Sequence, residues 1–206
     1  MTSTTSQVKE LDERTLLVTI EGRPPGLLTN AIPPAVKENL LLKSEGKQSK
    51  AVSARSLDQQ YEEALYHLDE PVGDASYGIK CDAFKQAMVR AAKTFKKLGG
   101  PQQKKLDGVQ VQSLVFVGDG PDDLAPLIGD PEPRYDLISN SSGSKTAVTR
   151  AWFREWQAVL PMKFVAIVDQ ELLLQLLSDA GQGVGVGAWR RERGGHFGLW
   201  RIVSVA

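Results

Sequence analysis

The stretch from Cys81 to Leu98 constrains the fold more than any other part of the chain. Phe84, Ala87, Met88, Ala91, Ala92, Phe95 and Leu98 recur at spacings of three and four. That pattern puts them on one face of a 3.6-residue helix. Asp82 near the start and Lys96 and Lys97 near the end suit the helix dipole, and Gly99-Gly100-Pro101 stops the helix. A helix with a single apolar stripe must bury it against a second layer.

The segments around it read as strands. Residues 14–21 (RTLLVTIE) are short and apolar and end at Gly22 and two prolines. Residues 109–118, 134–138 and 199–205 read as further strands, and 77–79 as a short extended piece. Residues 149–169 form two apolar blocks around Pro161, which predicts one long strand or two strands with a bulge there. Ser56 is an N-cap candidate for a short helix ending near His67. A later helix over 171–180 places Leu172, Leu173, Leu176 and Leu177 on one face and stops at Gly181. Residues 22–34 read as a connection pinned to the core by Leu27, Leu28 and Ile32, and 119–132 as a Pro/Asp-rich turn region. This order predicts an α+β fold with an antiparallel sheet. The expected core is ferredoxin-like, or RRM-like, β-α-β-β-α-β with inserted loops. The expected organisation is a single domain over 1–206, with a disordered tail at 1–9 and mobile insertions at 43–56 and 139–148.

The 206 residues suffice for one domain with its own core. The 25 basic and 25 acidic residues cancel, which excludes a globally basic protein but not a local basic face. Cys81 is the only cysteine, so no intrachain disulfide and no cysteine-rich zinc site can form. No apolar run has the length of a membrane helix, and the N-terminus lacks a secretory apolar region. The expectation is a soluble protein of a reducing compartment, the cytoplasm, with no membrane partner.

Charge is segregated despite the neutral total. Residues 80–105 carry a net +7, through Lys80, Lys85, Arg90, Lys93, Lys96, Lys97, Lys104 and Lys105 against Asp82. Residues 118–138 carry a net −5. The lysines read either as a solvated helix face or as phosphate contacts. A second basic segment lies near the C-terminus, where Gly181, Gly183, Gly185, Gly187, Gly194, Gly195 and Gly198 surround Arg190, Arg191 and Arg193. These glycines follow a helix and lead to a strand, the reverse of a dinucleotide fingerprint, and the Gly-Lys-Ser/Thr of a P-loop is absent. No cofactor is expected. Two readings remain: a backbone free to approach a phosphate chain closely, or a glycine-rich hairpin at a sheet edge. Trp152, Phe153 and Trp156 lie among Arg150 and Arg154, and Trp189, Phe197 and Trp200 lie around the arginine loop. Exposed rings beside arginines can stack bases. Trp189 and Phe197 are the stacking candidates, although Phe197 and Trp156 are also the first of the group to assign to the core.

Enzyme readings rest on few residues. His196, in the glycine loop, is the candidate general acid or base on a ribose-phosphate; His67 reads as a surface residue. Cys81 begins a helix, where a thiolate is favoured, but a buried cysteine there is commoner. Asp119, Asp122 and Asp123 fit either a hard cation or a solvated turn.

The paired glycines with arginines between them, followed by a final strand, resemble the glycine-rich loop of the RAMP superfamily, the RNA-binding proteins of CRISPR effector complexes. Residues 20–30 (IEGRPPGLLTN), the helix over 84–97 and the ending from Gly187 to Gly198 also look like a phage-encoded family of uncharacterised proteins. Gly26, between Pro25 and Leu27, departs from that family's Gly-x-x-Pro-Leu-Leu. The resemblance implies recognition of an RNA or single-stranded backbone, with self-association along the strand. It implies a metal-independent histidine ribonuclease only if His196 or His67 holds the right place.

The resulting expectation is a non-catalytic, oligomeric nucleic-acid-binding protein, working in the host-cell cytoplasm if phage-encoded. Lys85, Lys93, Lys96, Lys97, Lys104, Lys105, Arg190, Arg191 and Arg193 would contact phosphates, Gly185 and Gly187 would allow close approach, and Trp189 or Phe197 would stack a base. Its rivals are a structural or anti-defence interaction protein, whose opposed charge segments would form a self-complementary interface, and a ribonuclease using His196.

Overall fold

The computed structural model describes residues 11–29, 42, 44–46, 56–95, 106–120, 122–139, 143 and 145–206. The 1–9 tail, most of the 43–56 insertion, Lys96, Lys97, Lys104 and Lys105 lie outside them.

The apolar alternation around residue 18 becomes β1 (Glu13–Gly22), with Val18 and Ile20 fully buried and Leu17 48% exposed on the opposite face. The amphipathic stretch becomes α2 (Cys81–Phe95) and the leucine-rich one α4 (Gln170–Gly183). With β5 (Val115–Val117), β9 (Gln157–Val165) and β10 (Trp200–Val205) they complete the core. In chain order this is β1-α2-β5-β9-α4-β10. In space the strands run β10-β1-β9-β5, each antiparallel to its neighbour. That is the ferredoxin-like arrangement expected from the element order.

Both helices pack on one face of this sheet. Phe84, Met88 and Ala91 of α2, and Leu173, Leu177 and Ala180 of α4, are fully buried there with Leu160, Met162, Phe164 and Val115. Each large apolar side chain so buried stabilises the fold by about 1.5–3 kcal/mol. Trp200 of β10 meets Phe84 edge-on at 5.3 Å. Gly181 does not end α4. It lies inside the helix, and a Cβ there would stand 2.7 Å from the Trp200 carbonyl oxygen. The glycine permits the helix to lie directly on β10.

Two insertions interrupt the core. The first holds β2 (Leu27–Thr29), α1 (Leu57–Ala64), β3 (His67–Val72) and β4 (Ala75–Lys80). The second holds β6 (Leu124–Ile128), β7 (Pro131–Ser139) and β8 (Lys145–Phe153). Strand β9 has room for both β5 and β6 on one edge: Met162 to Phe164 pair with β5, and Gln157 and Ala158 with β6. Beyond β6 the sheet continues through β4 to β3. Strands β2, β8 and β7 form a separate three-stranded sheet.

Several local expectations change. Residues 109–114 are not strand: a helix α3 (Gly108–Leu114) precedes β5, because Asp107 and Gln110 form a capping box. Val109 is accordingly 73% exposed while Val111 is buried. The 119–132 turn region contains β6, whose Ala125 and Leu127 are buried. The break within 149–169 falls at residues 154–156, between β8 and β9, not at Pro161. Pro161 lies where β9 changes partner, so its missing N–H interrupts neither ladder. Residues 145–148, expected to be mobile, pair with β7. Ser56 caps α1 as expected, with Gln59 completing a capping box.

Replacing Leu173 by Ala should lower unfolding free energy by about 2–5 kcal/mol. Glu171→Ala, exposed on the same helix, should change it by less than about 1 kcal/mol. Urea unfolding followed by tryptophan fluorescence measures both.

Candidate nucleic-acid interface

Beyond α4 the chain doubles back on itself. Val186 N–H donates to the Gly198 carbonyl (2.9 Å), Ala188 N–H to that of Leu28 (2.8 Å), and Gly198 N–H to that of Gly26 (2.8 Å). The glycines make this possible. A Cβ on Gly187 (φ +75°) would stand 2.4 Å from the Leu28 oxygen, and one on Gly185 (φ +78°) 3.1 Å from two carbonyl oxygens. Close approach is therefore realised, but toward the protein's own backbone. The loop is not a hairpin at a sheet edge either; besides the Val186–Gly198 bond, its two arms meet at an isolated bridge between Arg190 and Phe197.

The three loop arginines part company. Arg190 Nε lies 3.0 Å from Glu192 Oε2, and Arg90 Nη1 of α2 lies 2.7 Å from the same oxygen. Burial pushes the Glu192 carboxyl up, but hydrogen bonds to Arg190 and Arg90 and their charges outweigh it and hold the group below its usual value. Arg191 is exposed and donates to the Gln182 carbonyl at 2.8 Å. Arg193 is exposed and makes no side-chain bond to the described residues.

Arg191 reaches the rim of a cleft of about 880 Å³ at the junction of the two sheets. Arg23 from the turn after β1, Arg154 from the β8–β9 turn and Arg201 of β10 line the same cleft, with Glu21, Glu155 and Trp156. Arg201 pairs with Glu21 (Nε–Oε2 2.8 Å) and Arg154 with both oxygens of Glu132 (3.1 Å each). Arg23 makes no side-chain ion pair among the described residues.

From Arg154 a ladder of alternating guanidinium groups and rings runs along the small sheet. The Arg154 guanidinium lies 3.8 Å from the centre of Trp152. Arg134 stands 5.2 Å from Trp152 and 5.1 Å from Phe197, and Arg150 stands 5.2 Å from Trp189. Phe197 is only 7% exposed, so its ring is packed between neighbours and offers no open stacking face; Trp189, 42% exposed, does. Phe153 and Trp156 belong to the core.

The two expected lysines among the described residues lie elsewhere. Lys85 sits over Phe116 of β5 at 4.6 Å, and Lys93 lies against Gly108 of α3. An ion pair between Arg90 and Glu192 ties the basic helix to the arginine loop. Arg23, Arg134 and Arg201 escaped sequence reasoning because each is an isolated arginine in a different segment. The proximity of Arg150 and Arg154 to Trp152 was the one visible signal.

The catalytic candidates gain little. His196 is exposed and makes no side-chain hydrogen bond to the described residues that would orient it. His67 lies 5.5 Å from the Tyr77 ring and 3.9 Å from Glu62. Cys81 is buried, and desolvation, then Asp123 and Asp119, push its thiol up to about 11. Asp123 accepts from the N–H groups of Asp119 and Gly120, Asp119 pairs with Lys163, and Asp122 pairs with Lys80. These carboxylates hold a turn together. Among the described residues no group of His, Cys, Asp and Glu is arranged to bind a metal ion.

Among the described residues no helix is long and apolar enough to cross a membrane. Comparison with protein-family models and with curated proteins finds no match. The fold and the cleft define an α+β protein with a ferredoxin-like core and an arginine-lined surface.

Gly187→Ala should cost more than about 1 kcal/mol, because a strained φ adds to a backbone clash. Gly194→Ala shares the positive φ (+77°) but meets nothing within 4 Å, so it should cost less. Chemical denaturation of both variants separates the clash from the strain. The Cys81 thiol should resist a disulfide reagent at pH 8 in the native protein and react fully in denaturant.

Proposed function

We propose that the protein binds a single strand of RNA or DNA without catalysing a reaction on it, laying the phosphate backbone across the arginine cleft. The observation that carries this reading is the convergence of Arg23, Arg154, Arg191 and Arg201, from separate segments, on one cleft. Guanidinium groups stay charged at any physiological pH and match phosphate geometry with two parallel donors. The ladder that leaves the cleft at Arg154 supports a strand with unpaired bases, since rings beside cations stack bases without regard to sequence. The place of the glycine loop, between the last helix and last strand of a ferredoxin-like core, supports the likeness to the RAMP superfamily. Self-association along the strand, which that likeness implies, belongs to the same proposal.

Binding of a fluorescent oligonucleotide by anisotropy, over a range of salt, tests it. Affinity should fall steeply with salt. Replacing Arg23, Arg191 and Arg201 together by alanine should lower the slope of log K against log salt by about 2, at roughly 0.7 per lost phosphate contact. Lys85→Ala with Lys93→Ala should leave the slope nearly unchanged. Unchanged binding in the arginine variant, or loss confined to the lysine variant, would overturn the assignment to the cleft.

A further inference from the structure

Asp136 of β7 is one carboxylate shared by two guanidinium groups. Arg134 Nε lies 3.1 Å from its Oδ1 and Arg150 Nη1 lies 2.9 Å from its Oδ2. The next acid along the strand, Glu132, is engaged by Arg154. The strip thus holds three arginines against two carboxylates, and the excess positive charge falls at its buried end, where Arg150 is 5% exposed and Asp136 7%. A buried charge without its counter-charge is costly. Arg150 also has an unused donor: its Nε is buried and has no hydrogen-bond partner.

Aromatic rings cover this end of the strip. Trp189 lies 5.2 Å from the Arg150 guanidinium and 6.0 Å from that of Arg134. A ring face partly offsets a cation but accepts no N–H···O bond. Trp189 is also the only described non-glycine residue with positive φ, at +49°. That conformation disfavours a side chain and persists only where the surroundings impose it. Here the return of the chain imposes it, with Gly195 packed directly on the Trp189 carbonyl.

We propose that Arg134 and Arg150 form a subsite for one phosphate group, with Trp189 as both its cover and the stacking partner of the base attached to that phosphate. The proposal rests on the nucleic-acid reading above and deepens it: the unit recognised beyond the cleft is a single nucleotide with an unpaired base. A phosphate oxygen at the Nε of Arg150 supplies the missing negative charge and satisfies the orphaned donor. Its approach displaces the indole from the guanidinium, and the ring then lies against the base.

The test compares wild type, Arg150→Met and the cleft variant lacking Arg23, Arg191 and Arg201, as full chains. Thermal unfolding is measured in millimolar inorganic phosphate against chloride of equal ionic strength; general salt effects act on all three alike. Phosphate should raise the midpoint of wild type and of the cleft variant, by linkage, and should not raise that of Arg150→Met. In chloride Arg150→Met should unfold at or above the wild-type temperature, because Asp136 then faces Arg134 alone. An arginine serving structure only would instead lower it. Arg150→Lys keeps the charge without the fork, and should need at least tenfold more phosphate for the same shift. Uridine 5′-monophosphate should quench tryptophan fluorescence at tenfold lower concentration than uridine, and Trp189→Phe should remove most of that quench. Phosphate stabilisation that survives in Arg150→Met, or quenching that survives in Trp189→Phe, overturns the subsite. If the phosphate effect vanishes only in the cleft variant, the subsite fails while the cleft reading stands. If oligonucleotide binding is unchanged in every variant, both fail.

Discussion

The C-terminal glycine segment and the turn after β1 touch at backbone distance, and the rest of the functional surface hangs on that contact. The hydrogen bond from Ala188 to Leu28 needs Gly187, where a Cβ would stand 2.4 Å from the Leu28 oxygen, and Gly198 bonds to Gly26 beside it. Leu28 belongs to β2, and β2 pairs with β8. The same contact therefore docks the small sheet against the ferredoxin-like core. It brings Trp189 over Arg150, sets Phe197 edge-on to Trp152 at 6.3 Å, and carries Arg191 to the cleft. Cleft and ladder are two consequences of one close approach, so anything that loosens it dismantles both.

Electrostatics then sorts the arginines. The chain is neutral overall, yet its carboxylates are unevenly supplied to its guanidinium groups. Glu192, held by both Arg90 and Arg190, is an anchor that fixes the loop to α2. Its folded-state pKa is depressed, so the stability it contributes is present above the ordinary carboxylate range and is lost as pH falls through the folded value. The exposed pairs Arg201–Glu21 and Arg154–Glu132 are a different case. Exposed pairs contribute about 0–1 kcal/mol, so their arginines can turn to a phosphate at little cost. Arg23 and Arg193 need not be released at all. The neutral total hides a surface whose cations are available where acids run short.

Much of the scaffold was legible in the sequence because local physics decides it. The stripe through Phe84, Met88 and Ala91, the Ser56 cap, and the apolar runs of β1 and β10 each need only their own neighbours to be read. Residues 109–114 misled because Val109, Val111 and the residues beyond alternate like a strand, while the deciding signal was a cap formed by Asp107 and Gln110. Strand β6 was hidden by Pro126 and the aspartates before it. Its pairing with β4 and β9 is long-range, and no local pattern announces it.

The site divides in the same way. By itself the sequence determined that the chain could build an α+β core, that its charge was segregated, and that a glycine-rich, arginine-bearing segment linked the last helix to the last strand. Those properties follow from residue type and spacing. Only the tertiary structure decided which arginines share a space. It tied Arg190 to Glu192, left Arg191 at the cleft, gathered Arg23, Arg154 and Arg201 from distant segments, and set Arg134 and Arg150 against a single aspartate. The physical reason is that a charge acts over a few ångströms of space, whereas sequence separation records only distance along the chain.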